Sequence, residues 1–134
     1  MTLLESCFTA AVVGTMMAIS IPSLIRTQQI YRLHSAARDT ASKMQSTRIQ
    51  AITRSQDCRM NVVSGTTYIA ECQDSTWRLI ERVTMPPGIT VSANNRPEFH
   101  RRGNVSPAAT FTLRDSYGHS VRVVVNVNGR VRVQ

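Results

Sequence analysis

The first 25 residues, MTLLESCFTAAVVGTMMAISIPSLI, carry one charge, Glu5, and no other until Arg26. About 20 residues of apolar helix span a hydrocarbon core, and the uncharged run from Ser6 to Ile25 meets that length. Any fold must therefore house a long greasy segment with a carboxylate at its edge. An ionised group in such a segment is costly unless paired, so it marks a functional position whose partner must be sought. If Met1 is the mature N-terminus, its α-amine lies four residues from Glu5, on the same molecule or a neighbour. A secretory signal peptide would put Lys or Arg before the apolar run and an A-x-A-like cleavage site after it. This segment has Glu5 and no such site, and reads as a membrane anchor.

Residues 2–21 are apolar on all sides, as a membrane helix must be. Pro22 then removes one backbone hydrogen bond and predicts a kink. Helical periodicity resumes beyond it. Ile30, Leu33, Ala37, Ala41, Met44 and Ala51 recur at spacings of three, four or seven. Arg26, Arg32, Arg38, Lys43, Arg48 and Arg54 mostly take the other positions. The pattern predicts an amphipathic helix over about 23–55, continuous with the first into roughly 53 residues and 80 Å. The chain divides into residues 1–25, the hydrophobic helix, and 26–134, a globular part whose helical stripe needs a cover.

That cover reads as β-structure. Residues 58–63 (CRMNVV) and 67–72 (TYIAEC) bracket Ser64-Gly65-Thr66, a three-residue hairpin connection. Pairing about Gly65 sets Cys58 opposite Cys72 and Arg59 opposite Glu71, both sensible cross-strand pairs. Cys58 and Cys72 are thus a candidate disulfide, which contributes roughly 3 kcal/mol in the chain-entropy model, while Cys7 reads as a small hydrophobe in the apolar run. Residues 76–83 alternate as a third strand, Pro86-Pro87-Gly88 breaks the chain, and Ile89–Val91 is a short fourth. Thr110–Arg114 and residues 120–127 flank an Asp115–Gly118 turn. Asn128-Gly129 is a two-residue hairpin signal. It predicts Val127 opposite Arg130 and Val125 opposite Arg132, with Arg122 near the hairpin's far end.

The net charge is +8, almost all from arginine, and Lys43 is the only lysine. Such a surface attracts polyanions, whether nucleic acid, anionic lipid or acidic polysaccharide; solubility alone is the plainer reading. No catalytic constellation stands out. The three histidines, His34, His100 and His119, fall on different elements, without metal-ligand spacing to Cys58 or Cys72. The six glycines sit singly rather than in a phosphate loop. No enzyme activity, catalytic residue, metal ligand or cofactor is assigned.

Glu5, Gly14 and Pro22, counted from an apolar N-terminus, resemble the mature start of type IV pilins and of type II secretion pseudopilins. MTLLE stands where that family usually has FTLIE. The resemblance implies an α+β type IV pilin fold, a long kinked N-terminal helix packed on an antiparallel β-sheet. The residues led to the same plan independently. It also implies a single-pass anchor in the bacterial inner membrane, with a periplasmic globular domain. During assembly residues 1–25 leave the lipid for a filament core, where Glu5 meets the Met1 amine of an adjacent subunit. The implied partners are other pilin subunits, the inner membrane and the pilus assembly machinery, and the destination is a pilus at the cell surface.

From Arg38 onward the chain resembles the FimT/GspH group of minor pilins and pseudopilins. The residues concerned are ARDTASKMQSTRIQAITRSQDCRM, Thr76-Trp77, an F-x-x-x-G pattern at Phe99–Gly103, and a closing G-R-x-R at Gly129–Arg132. Some FimT-type minor pilins bind DNA at G-R-x-R during natural transformation. The resemblance carries that role to Gly129, Arg130 and Arg132; Arg122, Arg101 and Arg102 extend the patch. Such a patch would neutralise phosphates of double-stranded DNA without reading bases. The same arginines equally suit the solvated face of an edge strand. The alternatives are a GspH-like minor pseudopilin or a major pilin, neither binding DNA.

Overall fold

The computed structural model describes residues 2–134; Met1, half of the expected pair with Glu5, lies outside them. The elements are α1 (Leu3–Arg54), β1 (Cys58–Ser64), β2 (Thr67–Gln73), β3 (Trp77–Thr84), β4 (Ile89–Ala93), β5 (Glu98–Phe99), β6 (Val105–Ser106), β7 (Ala109–Asp115), β8 (Ser120–Val125) and β9 (Val131–Val133). They fall into two compact units, one ending at Tyr31 and the other Arg32–Gln134.

In the first unit α1 is apolar and open. An 18-residue window of it is long and apolar enough to cross a membrane, and none of that window is buried. Leu3 is 85% exposed and Phe8 71%. The helix continues through Pro22, whose missing N–H leaves the Ala18 carbonyl without its usual helical donor. Thr9, Thr15 and Ser20 turn their hydroxyls back onto helix carbonyls three or four residues earlier. That is how a polar side chain is accommodated in an apolar helix.

In the second unit the remaining turns of α1 bury Leu33, Ala36, Ala37, Thr40, Ala41, Met44, Thr47 and Ala51. The stripe read from the sequence is present from Leu33 on. Ile30 is not part of it and is 38% exposed, because it precedes the unit whose core covers the stripe. Thr40 and Thr47 are buried polar positions satisfied locally, donating to the carbonyls of Ala36 at 2.8 Å and Lys43 at 2.9 Å.

The strands form two antiparallel sheets where one was expected, in the orders β3-β2-β1-β5-β6 and β4-β7-β8-β9. Their apolar faces and the α1 stripe share one core. Tyr68 of the first sheet meets Phe111 of the second edge to face, with centroids 6.2 Å apart. Burial pushes the Tyr68 phenol up to about 12, so it stays neutral. The β1–β2 register sets Cys58 opposite Cys72 and Arg59 opposite Glu71, and the two cysteines are disulfide-bonded. The connection is tighter than expected. Ser64 pairs with Thr67 after an irregularity beyond Val62, so Gly65-Thr66 turns the chain and the extra residue is absorbed as a bulge.

Strands β5 and β6 have no counterpart in the sequence reading. They are two residues each, and β5 exists because Phe99 pairs with Cys58 and fills the core. Local pattern cannot announce a strand whose partner is 41 residues away.

Candidate nucleic-acid interface

Three turns share one hydrogen-bond pattern. At His100–Asn104, Asp115–His119 and Asn126–Arg130, the first N–H donates to the fifth carbonyl and the fourth N–H to the first carbonyl. The fourth residue is glycine each time, Gly103, Gly118 or Gly129, with φ of 84°, 91° and 76°. This is the three-residue hairpin loop, a type I turn closed by a left-handed residue in a G1 bulge.

The third of these overturns the two-residue turn predicted at Asn128-Gly129. The ladder sets Val125 opposite Val131, Val124 opposite Arg132 and Val123 opposite Val133, one residue away from the expected register. A one-residue slip exchanges the faces of a strand. With Val123 and Val125 buried, only the observed register puts Val131 beside them on the core side and Arg132 outside. The dipeptide Asn-Gly suits both turns; the core decides between them.

The outer face of the second sheet follows from this register. Arg122 lies opposite Thr112 on β7 and exchanges backbone hydrogen bonds of 2.8 and 2.7 Å with Gln134. Arg132 is its diagonal neighbour on the same face. Arg114, opposite both Thr90 and Ser120, continues the row onto β7. Between the arginines stand Thr90, Ser92, Thr110, Thr112, Ser120 and Val124, so this face carries no acid. Arg114 was missed in the sequence reading, although strict alternation in Thr110–Arg114 already points it outward.

The remaining sequence-derived residues gather at two adjoining turns. Arg101 and Arg102 form the exposed crest of the β5–β6 turn, and Arg130 is exposed just after the β8–β9 turn. The turns are fastened together. Val105 N–H donates to the Val127 carbonyl at 2.7 Å. Arg48 of α1 donates through Nε to the Gly103 carbonyl at 2.8 Å and through Nη2 to the Asn128 carbonyl at 3.4 Å. A Cβ at Gly129 would lie 2.3 Å from the Gly103 carbonyl oxygen. Glycine is thus required there by backbone conformation and by space. Arg48 is a positioning residue that no local motif signals, since its partners are 55 and 80 residues away.

Among the described residues, none of Arg101, Arg102, Arg114, Arg122, Arg130 and Arg132 pairs with a carboxylate. Two cations elsewhere are paired with acids. Arg59 binds Glu71 at 2.8 Å and stacks 4.0 Å over Trp77, and Lys43 pairs with Glu81. The one acid in the strands of this sheet, Asp115, is turned inward. Burial alone would raise its carboxyl, but the His119 imidazole at 2.7 Å and the N–H groups of Tyr117 and His119 outweigh that and hold it below the usual carboxylate range. It is committed to its turn and does not neutralise the arginine row.

A family model described as type II transport protein GspH matches residues 36–129, more than half of the chain. Among solved structures, the chain is similar to the minor pseudopilin EpsH from the type 2 secretion system of Vibrio cholerae. That match has 14% identity and a TM-score of 0.68, and covers 77% of this chain and 96% of that one. It is also similar to the type IV minor pilin FimU of Pseudomonas aeruginosa, at 14% identity and TM-score 0.66, covering 81% of this chain and 92% of that one. At such identities the likeness is one of fold: an N-terminal helix on antiparallel sheets. No curated protein sequence matches the chain.

Proposed function

We propose a filament-subunit role from one premise: the chain belongs to the GspH family of type II transport proteins. The observation that carries it is the open apolar half of α1, attached to a unit that is compact without it. Such a helix needs lipid before assembly and neighbouring helices afterwards. In this reading the protomer is a minor pilin or pseudopilin, anchored by residues 1–25. Glu5 pairs with the Met1 amine of the next subunit, and Pro22 provides the bend. The machinery that builds the filament is its other partner.

Glu5→Leu tests this. It leaves a neighbour's amine buried and unpaired, which costs about 3–5 kcal/mol. Incorporation into sheared filaments should therefore fall more than roughly a hundredfold, with the globular unit still folded. Normal incorporation would sink the pairing.

A second function for the same subunit is favoured by the acid-free face bearing Arg114, Arg122 and Arg132, with Arg101, Arg102 and Arg130 at the fastened turns. In this reading Gly129 shapes the turn and the arginines hold the phosphates of double-stranded DNA, as uptake in natural transformation requires. Each neutralised phosphate adds about 0.9 to the slope of log affinity against log salt. Arg130→Ala/Arg132→Ala should then lower that slope by about 2 in a gel-shift titration with duplex DNA. Equal affinity and slope for both proteins would remove the site and favour a pseudopilin without nucleic-acid binding.

A further inference from the structure

The outer face of the first sheet holds a group that the filament and DNA roles leave unused. Asp57 directly precedes β1, and Glu98 and His100 bracket Phe99 on β5. Since Cys58 pairs with Phe99 and Arg59 with Glu98, the alternation of the strands puts Asp57, Glu98 and His100 together, outside the core. His100 Nδ1 lies 3.4 Å from Asp57 Oδ1 and 4.0 Å from Glu98 Oε1. One ligand atom from each residue falls within 4.8 Å of the other two. All three side chains are roughly three-quarters to two-thirds shielded, with exposures of 24%, 33% and 32%.

Two carboxylates therefore converge on one imidazole in a chain with 16 Lys and Arg against 8 Asp and Glu. Arg59, opposite Glu98 in the ladder, is directed to Glu71 and Trp77 instead. Among the described residues, no Lys or Arg side chain lies within 4 Å of either carboxylate, and Asp57 Oδ1 otherwise accepts only the Arg101 backbone N–H at 3.3 Å. A cation seated among these donors would be attracted by both carboxylates. We propose that Asp57, Glu98 and His100 bind a divalent first-row transition ion of the zinc class.

The donor set argues for that class. Zn2+ binds His nitrogen and carboxylate oxygen at about 2.0–2.2 Å, so tetrahedral ligands lie about 3.4 Å apart. The His100–Asp57 separation already has that value, and a small Glu98 rotation brings in the third donor. Ca2+ and Mg2+ prefer oxygen alone. Three protein ligands leave a fourth position to water. An ion here would tie the segment leaving α1 to the stem of the turn bearing Arg101 and Arg102.

The test uses the full chain in detergent micelles with its disulfide intact, titrated calorimetrically with ZnCl2. Wild type should bind one equivalent. His100→Ala should bind at least about 100-fold more weakly, the upper end of what loss of an outer-shell partner alone costs. Glu98→Gln, isosteric and outside the core, should show a loss in the same direction, and His34→Ala, on the exposed side of α1, none. Absence of Zn2+ binding by wild type, unchanged binding by both His100→Ala and Glu98→Gln, or equal binding of Ca2+ would overturn the proposal.

Discussion

Gly129→Ala should destabilise the globular unit by about 3–5 kcal/mol, whereas Gly118→Ala should cost only about 1–2 kcal/mol. Both occupy the same position of the same turn, with φ of 76° and 91°, so both suffer the penalty of a side chain in the left-handed region. At Gly118 nothing is added to that penalty, since a Cβ there would meet no atom within 4 Å. At Gly129 the new methyl would meet the Gly103 carbonyl at 2.3 Å and Arg48 Nε at 2.5 Å. The turns must separate, and the charge-assisted bonds of Arg48 are lost with them. For a domain of this size each kcal/mol lowers the thermal midpoint by about 4–8 °C, so circular dichroism resolves the two variants easily. Equal midpoints would mean that Arg48 does not hold the turns together.

Loss of the Cys58–Cys72 cross-link is the other large effect. A link with sequence separation 14 contributes about 3 kcal/mol by restricting the unfolded chain. Cys58 and Cys72 are 0% and 2% exposed, so Cys58→Ala/Cys72→Ala also loses packing. Reduction of the wild type keeps both sulfurs in place and isolates the cross-link. Denaturant unfolding should show a drop of about 3 kcal/mol on reduction and a slightly larger one in the double variant. No loss on reduction would show that the β1–β2 ladder alone holds this register.

What the sequence made legible depended on how locally each feature is determined. The helix stripe from Leu33 to Ala51 and the Cys58–Cys72 register are set by spacing within one helix and across one hairpin, and both were readable. The β8–β9 register was not, because Asn128-Gly129 fits a two-residue or a three-residue loop and only the buried Val123 and Val125 choose. Strand β5, the Arg48 clamp and the Asp57–Glu98–His100 group are each assembled from positions about 40 or more residues apart, so no window of sequence contains them. Arg130, Arg132 and Arg122 were placed on one hairpin correctly, yet the face that Arg122 and Arg132 share follows from the corrected register alone.

The grip of Arg48 falls on backbone carbonyls, those of Gly103 and Asn128, and on no side chain of either turn. The frame therefore does not depend on which residues stand at positions 101, 102 and 130. Charge at these crests can be gained, lost or reversed by single substitutions while the scaffold beneath stays the same. Evolution can retune what such a subunit touches without having to refold it, and an engineer can use the same two crests as graft points.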